Sequence, residues 1–156
     1  MPKIIGISGW SGAGKTTLIE RLIPVLHEKG IRTAVIKHDV HGIDEDDRGK
    51  DSARFRDAGA RQCVLCGPEG PSFDEALEAI EDVDLVLVEG FKDVNITQIG
   101  IARKESGKGF AAPLSRYIAL VTDLDVEAPV IKFGTDNIED IADYIISVIS
   151  LRNEDC

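Results

Sequence analysis

The sequence predicts an α/β fold with a mostly parallel twisted sheet flanked by helices, and three observations support this prediction. An apolar, β-branched run at residues 3–8 leads into a glycine-rich stretch, after which apolar residues recur at the helical period. Strand and helix patterns alternate along the chain, and strands joined through a helix pair in parallel. Residues 85–88 are all apolar, which is typical of a central strand buried on both faces. We expect one domain, residues 1–156.

The glycine-rich stretch, GWSGAGKT at residues 9–16, fits the pattern G-x-x-x-x-G-K-[ST] at every fixed position. Its glycines let backbone N–H groups converge on phosphate oxygens, and the following helix adds the positive end of its dipole. Lys15 can reach the β- and γ-phosphates, and the Thr16 hydroxyl can bind Mg²⁺. A glycine-rich turn that binds nothing is disfavoured, because the loop and both flanking elements agree. We therefore predict a P-loop NTPase fold with Lys15 as a catalytic residue. The predicted phosphate-binding residues are Gly9, Ser11, Gly12, Ala13, Gly14, Lys15, Thr16 and Thr17.

The remaining elements follow from periodicity and from turn and capping residues. Gly30 is predicted to end the first helix, and Ser72 with Glu75 forms a capping box at the start of another. The predicted helices cover about 14–28, 51–58, 72–80 and a last segment from Asp136 or Asn137. The predicted strands cover 3–8, 32–37, 61–66, 84–90, 97–102, 117–122 and 130–133, and residues 103–113 form a mobile loop or a hairpin tip.

Residues 38–51 are predicted to be a loop that contains two of the three histidines and six acids. The loop begins where a parallel strand ends, which is the edge of the sheet where open α/β folds bind ligands. A metal or substrate site and a solvated acidic loop are both compatible with this composition, and the position favours a functional loop. A tight zinc site on His38 and His41 is less favoured, because it needs three or four ligands.

Glu89 is an acid at the carboxyl end of the predicted central strand. P-loop proteins place at this point the group that binds Mg²⁺ or its water, so we predict a catalytic and metal-binding role for Glu89 beside Thr16. The alternative is a structural partner for a lysine or an arginine. Asp84, at the opposite end of the strand, is predicted to be a cap or turn residue.

The segment Thr122–Asp125 follows another buried strand and resembles the guanine-reading pattern [NT]-K-x-D, with Asp123 in place of the lysine. An aspartate can accept hydrogen bonds from the N1–H and N2–H₂ groups of guanine. We therefore predict that Asp123 and Asp125 contact the base. The missing lysine removes a stem that stacks on the base, so the predicted preference for GTP over ATP is weak.

Composition and charge limit the partners of the protein. The formal charge of −10 argues against broad binding to nucleic acid or to anionic membranes, which requires clustered cations. No stretch reaches the length of a transmembrane helix, and the N-terminus leads into a strand rather than a signal peptide. We expect a cytoplasmic protein.

Cys63 and Cys66 form C-x-x-C in a predicted strand, which sends them to opposite faces as buried, inert thiols, and Cys156 is predicted to be exposed.

Several segments together resemble the family of molybdopterin-guanine dinucleotide biosynthesis protein B (MobB). They are GWSGAGKTTL at 9–18, VIKH at 35–38, GKDS at 49–52, AGA at 58–60 and LVEGFK at 87–92. The resemblance implies a GTP-binding P-loop homodimer that assists MobA, the guanylyltransferase of the molybdenum cofactor. It also implies that Asp46 and Glu89 lie near the metal and the γ-phosphate. The residues that it places on a loop facing nucleotide or molybdopterin cofactor are Lys37, His38, Lys50 and Asp51. The family often shows a histidine pair at this loop, and here only His41 remains.

The leading hypothesis is an accessory protein with slow GTP hydrolysis that uses Mg²⁺ and acts beside a partner. The alternative is a small-molecule kinase, whose arginine-rich lid would lie within Arg103–Arg116. A nucleotide-gated scaffold without useful turnover is a third possibility. The basic residues expected nearest the site are Lys37, Lys50 and Arg54, and the sequence gives no sign that any of them is held in place.

Overall fold

The computed structural model describes residues 2–38, 45–91 and 94–154, with side chains for 2–38, 51–91 and 94–150. These residues form seven strands, four α-helices and two short 3₁₀ turns, Lys104–Ser106 and Leu114–Arg116. The strands are β1 (Lys3–Ser8), β2 (Thr33–His38), β3 (Gln62–Cys66), β4 (Leu85–Glu89), β5 (Gln98–Ala102), β6 (Tyr117–Thr122) and β7 (Ile131–Phe133). The helices are α1 (Lys15–Glu28), α2 (Glu45–Ala58), α3 (Phe73–Ala79) and α4 (Ile138–Glu154).

All seven strands belong to one sheet in the order β3-β2-β4-β1-β5-β6-β7. Every described strand pair is parallel, which confirms the predicted parallel sheet. β1 lies between β4 and β5, and all five residues of β4 are buried, as predicted for a central strand. Because the strands are parallel, their carboxyl ends share one edge of the sheet, and the loop after β1 lies at this edge.

Two hydrophobic clusters cover the two faces of the sheet. The apolar stripe of α1 packs with Phe55 of α2 and the stripe of α4 on one face, against strand residues such as Val35 and Leu87. On the other face α3 packs on β2 and β4 through Ala76, against residues such as Ile36. The alternation of Val35 and Ile36 between the clusters is the period of two that a strand imposes.

α2 begins at Glu45, so the prediction of a loop as far as Asp51 is wrong for residues 45–50. Among its described side chains (51–58), Phe55 is the only buried one. A helix with so few apolar residues shows little helical periodicity, and it is held by Phe55 in the core and by ion pairs at its surface. His41 lies outside the described residues, so its predicted role stays a prediction.

Residues 103–113 are not a hairpin tip, because β5 and β6, which they join, run in parallel. A parallel connection must cross back over the sheet, and this one includes the two 3₁₀ turns. It therefore passes the carboxyl edge of the sheet before it returns to the start of β6. We refer to residues 103–116 as the β5–β6 connection.

The predicted caps and the placement of Cys63 and Cys66 on opposite faces of the sheet are confirmed, and Cys66 is buried as predicted whereas Cys63 is half-buried. Ser72 Oγ accepts a hydrogen bond from the Glu75 N–H at 3.2 Å, and Gly30 follows α1 with φ of 85°. Cys63 packs against the first hydrophobic cluster, whereas Cys66 belongs to the second. Burial raises the pKa of both thiols, which keeps them protonated and unreactive at neutral pH. Cys156 lies outside the described residues.

Over the described ranges, the helices lack either the length or the apolar character needed to cross a membrane.

Asp84 joins the amino-terminal ends of β2 and β4 as the partner of Arg32. Its Oδ2 accepts from the Arg32 N–H at 2.9 Å and from Nε at 3.1 Å, and its Oδ1 accepts from Nη2 at 3.1 Å. The predicted cap or turn residue is thus an ion-pair partner that also binds a backbone N–H. Hydrogen bonds from the Arg32 side chain and then its backbone lower the pKa of Asp84.

We expect Asp84→Asn to lower the free energy of unfolding at neutral pH by a small amount, because the pair is partly exposed to solvent. The folded pKa of Asp84 lies below the unfolded value, so the stabilisation is present above the ordinary carboxyl pKa of about 3.9. It is lost as the pH falls through the folded pKa. Urea unfolding of both proteins between neutral pH and about pH 2.5 measures the difference.

Asp82→Asn is the matched control, because Asp82 Oδ1 lies 3.9 Å from Arg32 Nη1 in the same turn and is more exposed. Its effect should be smaller. A deficit of the Asp84 variant that does not shrink in acid would contradict the assignment.

Candidate nucleotide-binding site

The loop at residues 9–14 turns the chain from β1 into α1. Gly12 and Gly14 have φ of 84° and 96°, in the left-handed region that side chains disfavour. Gly9 is required for a different reason, since a Cβ there would lie 2.7 Å from the backbone oxygen of Ile101 in β5. Thus two glycines set the path of the loop and the third lets it lie against the neighbouring strand.

Lys15 begins α1, and its side chain folds back along the loop, where Nζ donates to the Gly9 carbonyl at 2.7 Å. The Ala13 N–H donates to the Trp10 carbonyl at 3.0 Å and closes the turn. The first N–H groups of an α-helix have no acceptor within the helix and carry the positive end of its dipole. The loop, the lysine and the helix start therefore form a local site for an anion.

Glu89 lies beside Thr16 at the carboxyl end of β4. The Thr16 hydroxyl donates to Glu89 Oε1 at 3.0 Å, and the residue is only 5% exposed. Lys37, the register partner of Glu89 on β2, places Nζ 4.0 Å from the same oxygen. Glu89 Oε2 is buried without a hydrogen-bond partner among the described residues. A buried carboxylate oxygen without a donor is suited to bind a cation, and no described side chain supplies one at Oε2.

Lys37 and Arg54 are held in place, contrary to our expectation. Lys37 Nζ hydrogen-bonds to Asp51 Oδ2 in α2. Arg54 Nε donates to Glu20 Oε2 in α1 at 2.6 Å, which fixes α2 against α1. The side chains of Lys50 and Asp46 lie outside the described residues, so their predicted roles stay predictions.

His38 points away from Lys37, because consecutive strand residues face opposite sides of the sheet. Its ring stacks on Phe91 with centroids 4.4 Å apart and planes 18° apart, and its Nδ1 lies 3.4 Å from the Gly90 carbonyl oxygen. Phe91 in turn contacts Phe73 on the face that α3 covers. The structure therefore brings Lys37 and Asp51 to Glu89 and separates His38 from them.

Asp123 and Asp125 follow β6 at the same edge of the sheet, and both are exposed. Asp123 Oδ1 accepts from the Lys104 N–H at 2.8 Å, so this carboxylate anchors the β5–β6 connection. The Thr122 hydroxyl accepts from the Leu124 N–H at 3.0 Å and shapes the turn. Contact of either aspartate with a base stays a prediction.

The β5–β6 connection contacts the P-loop in two places, whereas the sequence predicts this segment near the phosphates only as the lid of the alternative kinase. Arg103 Nη2 donates to the Gly12 carbonyl at 2.6 Å. Trp10 Nε1, in the middle of the loop, donates to the Phe110 carbonyl at 3.2 Å. The position of Arg103 directly after a strand was visible in the sequence, but its place beside the loop depends on β5 pairing with β1, which no local pattern reveals.

In the part of the chain that the structure describes, no group of three or more His, Cys, Asp or Glu side chains could hold a metal ion by itself. A cation at this site would therefore need oxygen ligands from the Thr16 hydroxyl, from Glu89 and from a bound phosphate or water. This donor set suits Mg²⁺, which keeps several waters and binds through one or two carboxylates together with phosphate oxygens.

A parallel sheet with a G-x-x-x-x-G-K-T loop between its central strand and the first helix, and an acid at the end of the adjacent strand, defines a P-loop NTPase fold. The model of the family described as "Molybdopterin guanine dinucleotide synthesis protein B" (MobB) matches residues 4–123. This match covers most of the chain, and the chain belongs to the MobB family.

Two relatives are each named molybdopterin-guanine dinucleotide biosynthesis adapter protein. The protein from Haemophilus influenzae is 37% identical, over 91% of this chain and 86% of its own length. The protein from Escherichia coli is 32% identical, over 98% of this chain and 97% of its own length. The crystal structure of Bacillus subtilis MobB matches the fold with a TM-score of 0.64 and 22% identity, over 93% of this chain and 96% of that chain.

We expect Gly9→Ala to lower the free energy of unfolding by about 1–3 kcal/mol, the usual range for overpacking. The added methyl would lie 2.7 Å from Ile101 O and 2.8 Å from its Cγ2, and the former is backbone of a central strand. Urea unfolding measures the loss. Gly134→Ala is the control, since its nearest neighbour, Asn137 Nδ2, would lie at 3.6 Å. Equal stability of the Gly9 variant and the wild-type protein would show that the loop does not need this close approach.

Proposed function

We propose that this protein binds GTP and Mg²⁺ at the P-loop and acts as an accessory adapter in the biosynthesis of molybdopterin guanine dinucleotide. Its partner would be a MobA-type guanylyltransferase. The nucleotide part of the proposal rests on the contact between Thr16 and the buried Glu89, whose Oε2 has no donor among the described residues. Membership of the MobB family and the printed names of its relatives support the biosynthetic part.

In this proposal the Thr16 hydroxyl and Glu89 hold Mg²⁺ or its water, and Asp46 lies nearby. Bound Mg²⁺ would neutralise charge on the β- and γ-phosphate oxygens. Glu89 is suited to this task, because its burial makes an unpaired charge costly and thus makes a cation a favourable partner. The Lys37 ammonium, whose Nζ lies 4.0 Å from Glu89 Oε1, offsets part of this cost in this structure.

The triphosphate would lie along the loop and the start of α1. The N–H groups of Gly12 to Thr17 and the Lys15 ammonium would donate to its oxygens, and Gly9 and Ser11 would complete the loop. The Lys15 ammonium already lies at the loop, where its Nζ hydrogen-bonds to Gly9 O. Asp123 and Asp125 are the proposed guanine contacts, and Oδ1 of Asp123 also accepts from the Lys104 N–H.

We propose slow GTP hydrolysis by the protein alone and a homodimer as the working unit. P-loop GTPases turn over slowly until a cation reaches the transition state or the attacking water is fixed. Lys37 and Arg54 are already engaged by Asp51 and Glu20. The formal charge of −10 suits a partner surface of positive potential, because complementary charge raises the rate of encounter. We propose Lys37, Lys50 and Asp51 for the side facing the cofactor, and His38, whose ring lies against Phe91 on the other face of the sheet, for a separate contact with it.

We expect GTP to bind more tightly than ATP by a small factor, because only guanine offers two donors to a carboxylate. Trp10 is the only tryptophan of the chain, lies in the P-loop and is 38% exposed, so its fluorescence can report binding directly. Lys15→Ala should abolish triphosphate binding without unfolding the protein, since the ammonium donates to the backbone of the loop at the Gly9 carbonyl. Equal affinity for ATP and GTP would remove the guanine assignment, and normal GTP binding by a folded Lys15→Ala variant would remove the P-loop assignment.

We expect Glu89→Gln to slow GTP hydrolysis by about tenfold or more, about 1.4 kcal/mol in the barrier, while binding of GTP without metal stays near wild type. Glutamine keeps the shape and the Thr16 contact but loses the negative charge. A phosphate-release assay with Mg²⁺ measures hydrolysis, and a GTP titration in the presence of a metal chelator measures binding without metal. Glu69→Gln is the control, because Glu69 is exposed in the turn after β3. Normal turnover in a variant of lower melting temperature would instead make Glu89 a structural ion-pair partner.

We expect the pure protein to release phosphate slowly and a MobA-type guanylyltransferase to accelerate it. The supply of a missing cation or the fixing of the attacking water can change the rate by about 10³–10⁵. Steady-state assays with and without the transferase test this. Rapid turnover by the isolated protein would contradict it, acceleration by a small-molecule acceptor would favour a kinase, and no response to the transferase would favour a scaffold.

A further inference from the structure

Arg103 reaches the P-loop because of the order of the strands. β5 pairs with β1 through Ser8↔Gly100, and the chain leaves β5 three residues later, directly beside the loop. Arg103 Nη2 then donates to the Gly12 carbonyl at 2.6 Å, a short hydrogen bond from a charged donor. The arginine is therefore part of the wall around the phosphate site.

The guanidinium lies against Gly14, the last residue before α1. A Cβ on Gly14 would lie 3.3 Å from Arg103 Nε and 3.5 Å from Cζ, so the missing side chain leaves the space that the guanidinium uses. Arg103 Nε is buried and has no hydrogen-bond partner in the described ranges. A buried N–H of a cation without an acceptor is costly in free energy, and a phosphate oxygen bound at this point would remove that cost.

The backbone around Arg103 is fixed. Ser106 donates to the Arg103 carbonyl through its Oγ at 3.0 Å and through its N–H at 3.2 Å. The next residue, Lys104, is anchored through its N–H by Asp123. The connection thus presents the side chain from a braced turn, and little ordering would be needed when a ligand binds.

The P-loop is therefore bordered by two buried polar atoms that have no hydrogen-bond partner among the described residues, one an acceptor and the other a donor. Glu89 Oε2 is an acceptor beside Thr16, and Arg103 Nε is a donor beside Gly14. A magnesium–nucleotide offers a cation for the first and phosphate oxygens for the second.

We infer that Arg103 is a phosphate-binding residue whose Nε donates to a phosphate oxygen of the bound nucleotide while Nη2 holds Gly12 in place. This inference rests on the proposed binding of nucleotide at the P-loop. Arg103 would thus give the site a second cation besides Lys15, and its planar guanidinium carries several N–H donors whereas the lysine ammonium acts as a point charge.

The test compares the wild-type protein with Arg103→Gln, Arg103→Lys and the control Arg116→Gln, an exposed arginine of the same connection. Titration calorimetry with GTP and GDP should show affinity lower by about tenfold or more for Arg103→Gln, as for loss of a charged hydrogen bond. Arg103→Lys should recover part of this loss, and Arg116→Gln should bind as wild type does.

A second measurement separates phosphate contact from mere support of the loop. In NMR spectra of protein labelled with ¹⁵N-arginine, the Nε–H signal of Arg103 is assigned as the one that is missing from the spectrum of Arg103→Lys. This signal should shift when GTP is added to the wild-type protein. An unmoved signal, or wild-type affinity in Arg103→Gln, would overturn the inference while leaving the proposed function intact. If the wild-type protein bound no nucleotide at all, the proposed function would fail and this inference with it.

Discussion

The position of β1 between β4 and β5 is the constraint on which the rest of the structure depends. The register Ile7↔Glu89 on one side brings the acid of β4 to the start of α1, where Thr16 bonds to it. The register Ser8↔Gly100 on the other side brings Arg103 to the loop. Parallel pairing places both side chains at the same edge, so an acid and a cation flank the P-loop from its two neighbouring strands.

This arrangement explains how a chain with a formal charge of −10 can offer a site to a polyanion. The positive groups are concentrated at the loop, where Lys15, Arg103 and the start of α1 meet, and long-range repulsion from distant acids is screened by salt. Asp51 is neutralised locally by Lys37, and Glu20 by Arg54. The local field at the loop, not the net charge, decides what binds there.

The sequence predicted what local patterns encode and missed what depends on strand order. The P-loop, the buried β4 and the Ser72 cap follow from residues close together in the chain, and the structure confirms these elements. The second part of α2, residues 51–58, was predicted, but its start at residues 45–50 was not, because the sequence EDDRGK offers no large apolar residue that could indicate a helical stripe. The contact of Arg103 with Gly12 was not predicted, because Gly12 lies 91 residues away, across a strand pairing that periodicity does not specify.

The same reasoning shows why Lys37 and His38, adjacent in the chain, have separate surroundings. Lys37 shares its charge between Asp51 of α2 and Glu89 at 4.0 Å, whereas His38 stacks on Phe91 across the sheet. A cation bound at Glu89 would weaken the attraction of Glu89 for Lys37 and leave Asp51 as its stronger partner. α2 is also held by Phe55 in the core and by the pairing of Arg54 with Glu20 of α1, so its attachment does not depend on Lys37 alone.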